Sequence, residues 1–220
     1  MAADWWRSTG VGDGGHYAFF RRVASRVTEM KRGRQVYELK VSLRGSRPLI
    51  WRRFQALNDI TLFRLHNILQ IVMGWTDSHL HQFLAGQIYY GKPNPEYGAD
   101  HEDDKRTRLS HVLRKPLDAM VYKYDFGDGW EHIVVLVCIF EPVAGAQYPV
   151  ILAAEGACPP EDVGGIGGYY QFLHTMANPR HPEHREMMAW WGGPFDPKLY
   201  DIRARNEALM RRRRVGRTDA

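Results

Sequence analysis

Cysteine is nearly absent from the chain: Cys138 and Cys158 are the only two in 220 residues. Two thiols cannot staple a small secreted scaffold, and they read as free thiols of a reduced, cytoplasmic protein. Long apolar runs are missing as well. None approaches the roughly 18 residues a membrane-spanning helix needs, so no membrane partner is expected. The opening MAADWWRSTGVGDGG lacks the apolar centre of a secretory leader. Complete catalytic signatures are also lacking. DFG at 125–127 has no Gly-rich loop, VAIK-type lysine or HRD triplet before it, which excludes a kinase. GGIGG at 164–168 follows CPPED where a dinucleotide fold would place a strand, and HPEH at 181–184 lacks the i, i+4 spacing of a zincin helix.

What is present suits a globular protein. Hydrophobic residues make up 44% and charged residues 25% of the sequence, enough to bury a core over this length. The formal charge is +5, and it is unevenly placed. Residues 1–35 carry seven Arg/Lys and three acids, residues 201–220 carry seven Arg and three acids, and the segment between is slightly acidic. The run RRRRVGR, with Arg211, Arg212, Arg213 and Arg214, reads either as a solvated tail or as a contact for nucleic acid or another polyanion. The chain thus divides into a basic N-terminal extension (1–34), one domain (35–210) and a basic tail (211–220). Within the extension, HYAFFRRVASRVTEMKRGR has the pattern of a basic amphipathic helix.

From Gln35 the pattern alternates. QVYELKVSL and LIWRRFQAL read as a strand hairpin turned at RGSRP. TLFRLHNILQIVMGW has helical spacing, with Asn58 or Thr61 as cap and Gly74 as stop. His66 sits at the edge of its apolar stripe, as a hydrogen-bonded core-edge histidine would. HLHQFLAGQIYYG reads as strand, turn, strand, and KPNPEYGADHEDDKRTR as a polar loop. After a short helix at LSHVL, DAMVYKYDFGDGWEHIVVLVCIFEPV reads as two long strands joined by a tight turn at Gly127-Asp128-Gly129. YPVILAAEG is extended. From Tyr169 on the pattern is helical, with Met187, Met188, Trp190 and Trp191 as core residues. Strands early and helices late predict an α+β fold: an antiparallel sheet, an early helix inserted between strands, and helices concentrated in the C-terminal third.

The residues with chemical potential lie at strand ends and turns. His79 and His81, two apart, share a side of a strand, as do Asp128, Trp130 and His132. Asp125 precedes the turn, and Cys158, Glu161 and Asp162 lie in a loop stiffened by two prolines. Together these form a candidate polar cleft. His79, His81, Asp128 and His132, with Glu161 or Asp162, have the ligand chemistry for a divalent metal such as zinc or manganese, and a hydrolytic site would follow. The alternative is structural, with Asp128 fixing the turn, Trp130 filling the core edge and the histidines closing hydrogen bonds. The glycines of GGIGG would leave backbone N–H groups free for an anion at a helix start. Cys158 is a poor nucleophile candidate, because Pro159 and Pro160 follow it directly.

The blocks PLIWRRFQALNDITLFRLHNILQIVMGWTDSHLHQF, YKYDFGDGWEHIVVL, CPPEDVGGIGGYYQFL and FDPKLYDIRARNEAL, in this order, resemble the plasmid pRiA4b ORF-3-like family. Its members are also labelled passenger "TnpR" proteins of insertion elements. The resemblance spans about Val36 to Leu209. It implies an α+β fold and a cytoplasmic accessory or binding protein carried on plasmid or mobile DNA, and it brings no biochemical activity with it. Two function classes stand: an accessory module contacting nucleic acid through its basic ends, and a metal-dependent hydrolytic enzyme.

Overall fold

The computed structural model describes residues 33–92 and 101–215, with side chains to residue 212. The chain divides into two compact units, Met1–Gly33 and Arg34–Ala220. The amphipathic helix expected in the extension and the last residues of the basic tail lie outside the described residues.

Among the described residues, the second unit is built on one sheet of eight strands. In chain order these are β1 (Val36–Leu43), β2 (Trp51–Leu57), β3 (His81–Ala85), β4 (Ile88–Gly91), β5 (His101–Asp103), β6 (Ala119–Tyr124), β7 (Trp130–Phe140) and β8 (Val150–Glu155). Their spatial order is β5-β4-β3-β6-β7-β1-β2-β8. All neighbours are antiparallel except β4 and β5, which run parallel. The helices are α1 (Leu62–Met73), α2 (Leu109–Val112), α3 (Gly165–Ala177), α4 (His184–Trp191) and α5 (Ile202–Val215).

Period-two patterning decides which face of the sheet is buried. In β1, Tyr37, Leu39, Val41 and Leu43 are buried. In register across the sheet, Leu39 opposes Phe54 and Leu136, and Leu43 opposes His132. The opposite face is polar: Arg53 pairs with Glu38 at 3.1 Å, and Lys123 with Glu131 at 2.8 Å. Helix α1 supplies the other half of the core, with Leu62, Leu65, Leu69, Val72 and Met73 fully buried. Each such side chain contributes about 1.5–3 kcal/mol of transfer free energy. Thr61 caps α1 by accepting the Arg64 N–H at 3.2 Å, and Gly74 ends it at φ 121°.

The early helix between strands and the mixed α+β character agree with the sequence patterning; several details differ. The acidic stretch read as a loop contains β5, a three-residue edge strand with no apolar signature. Helix α3 begins at Gly165, four residues before Tyr169. The β6–β7 connection is a five-residue loop, 125–129, instead of a tight turn at Gly127–Gly129. It reverses direction with left-handed residues at both ends, Asp125 (φ 53°) and Gly129 (φ 68°). Helix α5 runs on through Val215. Trp190 and Trp191 are 50% and 41% exposed. They lean on Phe172 at ring distances of 6.0 and 6.1 Å, so α4 covers the core margin and does not enter it.

Candidate metal centre

Three connections meet at one end of the sheet: residues 74–80 between α1 and β3, 125–129 between β6 and β7, and 156–164 between β8 and α3. The Asp125 N–H donates to Leu80 O at 2.9 Å, joining the first two. The Ser78 N–H donates to Tyr124 Oη at 3.0 Å. In the hairpin loop, Asp125 Oδ1 accepts the N–H groups of Gly127 (3.0 Å) and Asp128 (3.3 Å), an Asx turn that fixes its carboxylate. The third connection is tied in by Trp75 Nε1–H, which donates to Pro159 O at 3.1 Å. Asp128 reaches across as well, accepting the Gly164 N–H at 3.1 Å. Gly165 is required at the start of α3: its φ is 66°, and a Cβ there would lie 2.3 Å from Asp128 O.

His79, Asp125 and Asp162 converge from these three connections, each offering one donor atom, and all three atoms lie within 4.8 Å of one another. His79 Nε2 lies 3.1 Å from Asp162 Oδ1 and 3.7 Å from Asp125 Oδ2. Its Nε2 is screened from solvent yet has no hydrogen-bond partner among the described residues. Two donors bound at about 2.1 Å to one ion are separated by about 3 to 3.5 Å, close to the observed spacings. Asp125 is buried at 7% exposure. Its Oδ1 is used by the loop, which leaves Oδ2 for the cluster.

The other residues singled out in the sequence sit elsewhere. His81 turns to Asp104, with Nε2 2.8 Å from Oδ2, and stacks on His66 at 3.5 Å with the rings 4° apart. His79 and His81 therefore do not share a ligand set: His79 precedes β3 and is not held to the strand's alternation. His132 is wholly buried, with Nδ1 3.3 Å from Tyr122 O and its ring edge-on to Trp75. Burial, aided by the nearby Arg52 charge, pushes its pKa down to about 3, so it is a neutral core histidine. Trp130 is buried on the same side of β7. Asp128 acts through the Gly164 tie, outside the His79 group. Glu161 is engaged by three donors: Thr76 N–H at 3.1 Å, the Thr76 hydroxyl, and Tyr124 Oη–H at 2.5 Å. It clamps the first and third connections and has no free oxygen for proton transfer. Burial and the adjacent Glu161 carboxylate raise the Tyr124 hydroxyl above its usual range. Burial pushes the Cys158 thiol up to about 12, which removes it as a nucleophile at neutral pH. Arg211 and Arg212 are both exposed, and Arg212 reaches back to Asn67 and lies 3.9 Å from Asp77. Of Arg213 and Arg214 only the helical backbone is described.

Sequence reasoning missed Asp77, Asp104, Thr76 and Tyr124. Asp77 sits two residues before His79 with φ 65°. Its Oδ1 is 2.7 Å from His66 Nε2. Asp104 is 1% exposed within a stretch whose composition is that of a solvated loop. A shallow cavity of about 370 Å³ lined by Tyr90, His111, Arg114 and Asp118 opens at the far ends of β3 and β6 from the His79 group. It touches none of the site residues.

Known proteins resemble this chain over most of its length. An uncharacterized protein, y4hQ, of Sinorhizobium fredii is 42% identical over 176 residues, covering 79% of this chain and 90% of the relative. The crystal structure of MM3350 from Methanosarcina mazei Go1, a protein of unknown function, superposes with a TM-score of 0.72 at 33% identity, covering 78% of this chain and 97% of that one. Residues 35–204 match the family described as plasmid pRiA4b ORF-3-like protein. The span takes in every strand of the sheet and all three connections that carry His79, Asp125 and Asp162, and the chain belongs to the plasmid pRiA4b ORF-3-like protein family.

Proposed function

We propose that the protein binds a divalent cation at the three-loop end of its sheet, with His79 Nε2, Asp125 Oδ2 and Asp162 Oδ1 as ligands, and that its chemistry is of the hydrolytic class. The observation that carries this is the His79 nitrogen: shielded from water, without a hydrogen bond, and 3.1 and 3.7 Å from two carboxylate oxygens on different connections. One nitrogen and two carboxylates suit zinc, manganese or iron(II). Three protein donors leave coordination positions for water and substrate. A cation held there would acidify its bound water toward neutrality. Asp125 is aimed by its Asx turn, and the Glu161 clamp holds Asp162's connection against the loop that bears His79.

The test is a Mn²⁺ or Zn²⁺ titration of chelator-treated full-length protein, followed by calorimetry. Wild type should take up one equivalent, and His79→Ala should lose it while keeping its far-UV spectrum. Uptake no greater in wild type than in His79→Ala would sink the reading.

A second reading draws on the basic end. Helix α5 continues through Val215 and so carries Arg211–Arg214 in helical form. This supports an accessory protein, plasmid-borne as the family's name suggests, that contacts nucleic acid or another polyanion there. Retention on DNA that weakens steeply with salt and is lost on deletion of 211–220 is its signature. Retention unchanged by that deletion excludes the tail.

A further inference from the structure

Asp77 is gripped twice by buried groups two residues before His79, and the hydrogen-bond directions in that grip are fully determined. The Asp77 backbone N–H donates to Gln70 Oε1 at 3.0 Å, which fixes the orientation of the Gln70 amide. Gln70 Nε2 then donates to Tyr122 Oη at 2.8 Å. The neutral His66 ring must turn its one proton to the Asp77 carboxylate, which can only accept, so Nδ1 accepts the Tyr122 Oη–H 2.7 Å away. His66 is therefore the neutral Nε2–H form, and that N–H donates to Asp77 Oδ1 at 2.7 Å, returning to the residue where the circuit began. Each of the four donor groups in the circuit, Asp77 N, Gln70 Nε2, Tyr122 Oη and His66 Nε2, has an acceptor within it.

Its members have little room to move. Tyr122 is fully buried, and His66 and Gln70 are each 1% exposed. One face of the His66 ring is covered by the stacked His81 at 3.5 Å. The circuit spans α1, β6 and the 74–80 connection, so it sets the height and rotation of that connection relative to the sheet.

We propose that this closed circuit positions the cation site: His66 and Tyr122, which touch no ligand, hold the His79 connection through Asp77 so that His79 Nε2 faces Asp125 and Asp162. The inference rests on the cation reading above. Groups that orient ligands from behind alter metal affinity by about 10- to 100-fold. The circuit acts one step further back, so about tenfold is expected.

The experiment is a Mn²⁺ titration of the full chain as wild type, Tyr122→Phe, Asp77→Asn and Asp77→Gly. Asp77→Asn still accepts from His66 and should bind nearly as wild type does. Asp77→Gly keeps the left-handed backbone but has no acceptor, and it should weaken binding about tenfold, as should Tyr122→Phe. A long-range ¹⁵N–¹H spectrum of the metal-free wild type should show His66 protonated at Nε2 only, its proton held by the acceptor-only Asp77 carboxylate. A wild type that takes up no Mn²⁺ overturns the cation reading, and this inference with it. Wild-type binding matched by both Tyr122→Phe and Asp77→Gly overturns the positioning alone, as does a His66 protonated at Nδ1.

Discussion

His132 makes the stability of the fold depend on pH in a way that one substitution isolates. Its ring is fully buried on β7 against Trp75 and Tyr122. Burial, with the Arg52 charge nearby, lowers its pKa from 6.5 to about 3. The unfolded chain therefore binds a proton at a pH where the folded chain does not. Stability is complete above pH 6.5 and falls as pH drops from there toward 3, by up to about 1.4 kcal/mol per pH unit for this one group. At pH 5 the unfolded imidazole is almost fully protonated and the folded one is not, a loss of about 2 kcal/mol. For a unit of this size that corresponds to a fall in Tm of about 4–8 °C. Carboxylates titrate mainly below pH 5, so the window from 7.5 to 5 belongs to histidines. His132→Leu removes the titration, the 3.3 Å bond to Tyr122 O and the unpartnered Nε2 together. Its stability at pH 7.5 should stay within about 1.5 kcal/mol of wild type. Thermal and guanidinium unfolding at pH 7.5, 6.5, 5.5 and 5.0 give the comparison. Between pH 7.5 and 5 the wild type should lose about 2 kcal/mol more than His132→Leu does. His66, lowered to about 4 by burial and by His81, keeps part of the acid slope in both proteins. Curves that run parallel over the whole range would refute the assignment of His132 as a buried neutral group.

Three further outcomes are expected. Thr61→Ala removes the α1 cap and should cost about 1 kcal/mol in denaturant unfolding, with no change in far-UV signal. Gly165→Ala combines a left-handed φ of 66° with a Cβ 2.3 Å from Asp128 O, so a loss on the order of 3 kcal/mol or more is expected by the same assay. Arg52→Met keeps the volume but strips donors from Val72 O, Trp51 O and Glu155 O, and it should lower stability by on the order of 3 kcal/mol. A neutral effect would show that the buried cation is dispensable.

Where side-chain patterning alone decides local structure, the sequence was readable. The alternation of VYELKVSL and the 3.6-residue spacing from Leu62 to Val72 each place their apolar groups on one side, and Thr61 and Gly74 punctuate the helix chemically. Patterning is silent where backbone pairing or a tertiary neighbour decides instead. β5 has three polar residues and exists because Tyr89–Gly91 offers it a partner. Helix α3 starts among glycines that carry no helical signature, because Asp128 O approaches too closely for a Cβ. Trp190 and Trp191 looked like core residues by type alone, yet α4 lies at the margin.

The site was half legible for a related reason. Strand alternation groups residues i and i+2, and it linked His79 with His81 and Asp128 with His132. That rule ends where the strand ends. His79 precedes β3 and turns away from its neighbour, toward carboxylates 46 and 83 positions later in the sequence. Nothing local signals which distant acid a loop histidine will meet. Chemistry of residue type narrowed the candidates to a handful, and the fold then sorted them by how much hydrogen bonding each already had. Glu161 has both oxygens engaged by three donors, His81 is paired with Asp104, and His132 is sealed in the core. Asp125 retains one oxygen after its loop has used the other, and His79 retains its nitrogen. What separates a ligand from a structural polar group at this end of the sheet is residual valence, a property of the assembled connections that no single stretch of sequence carries.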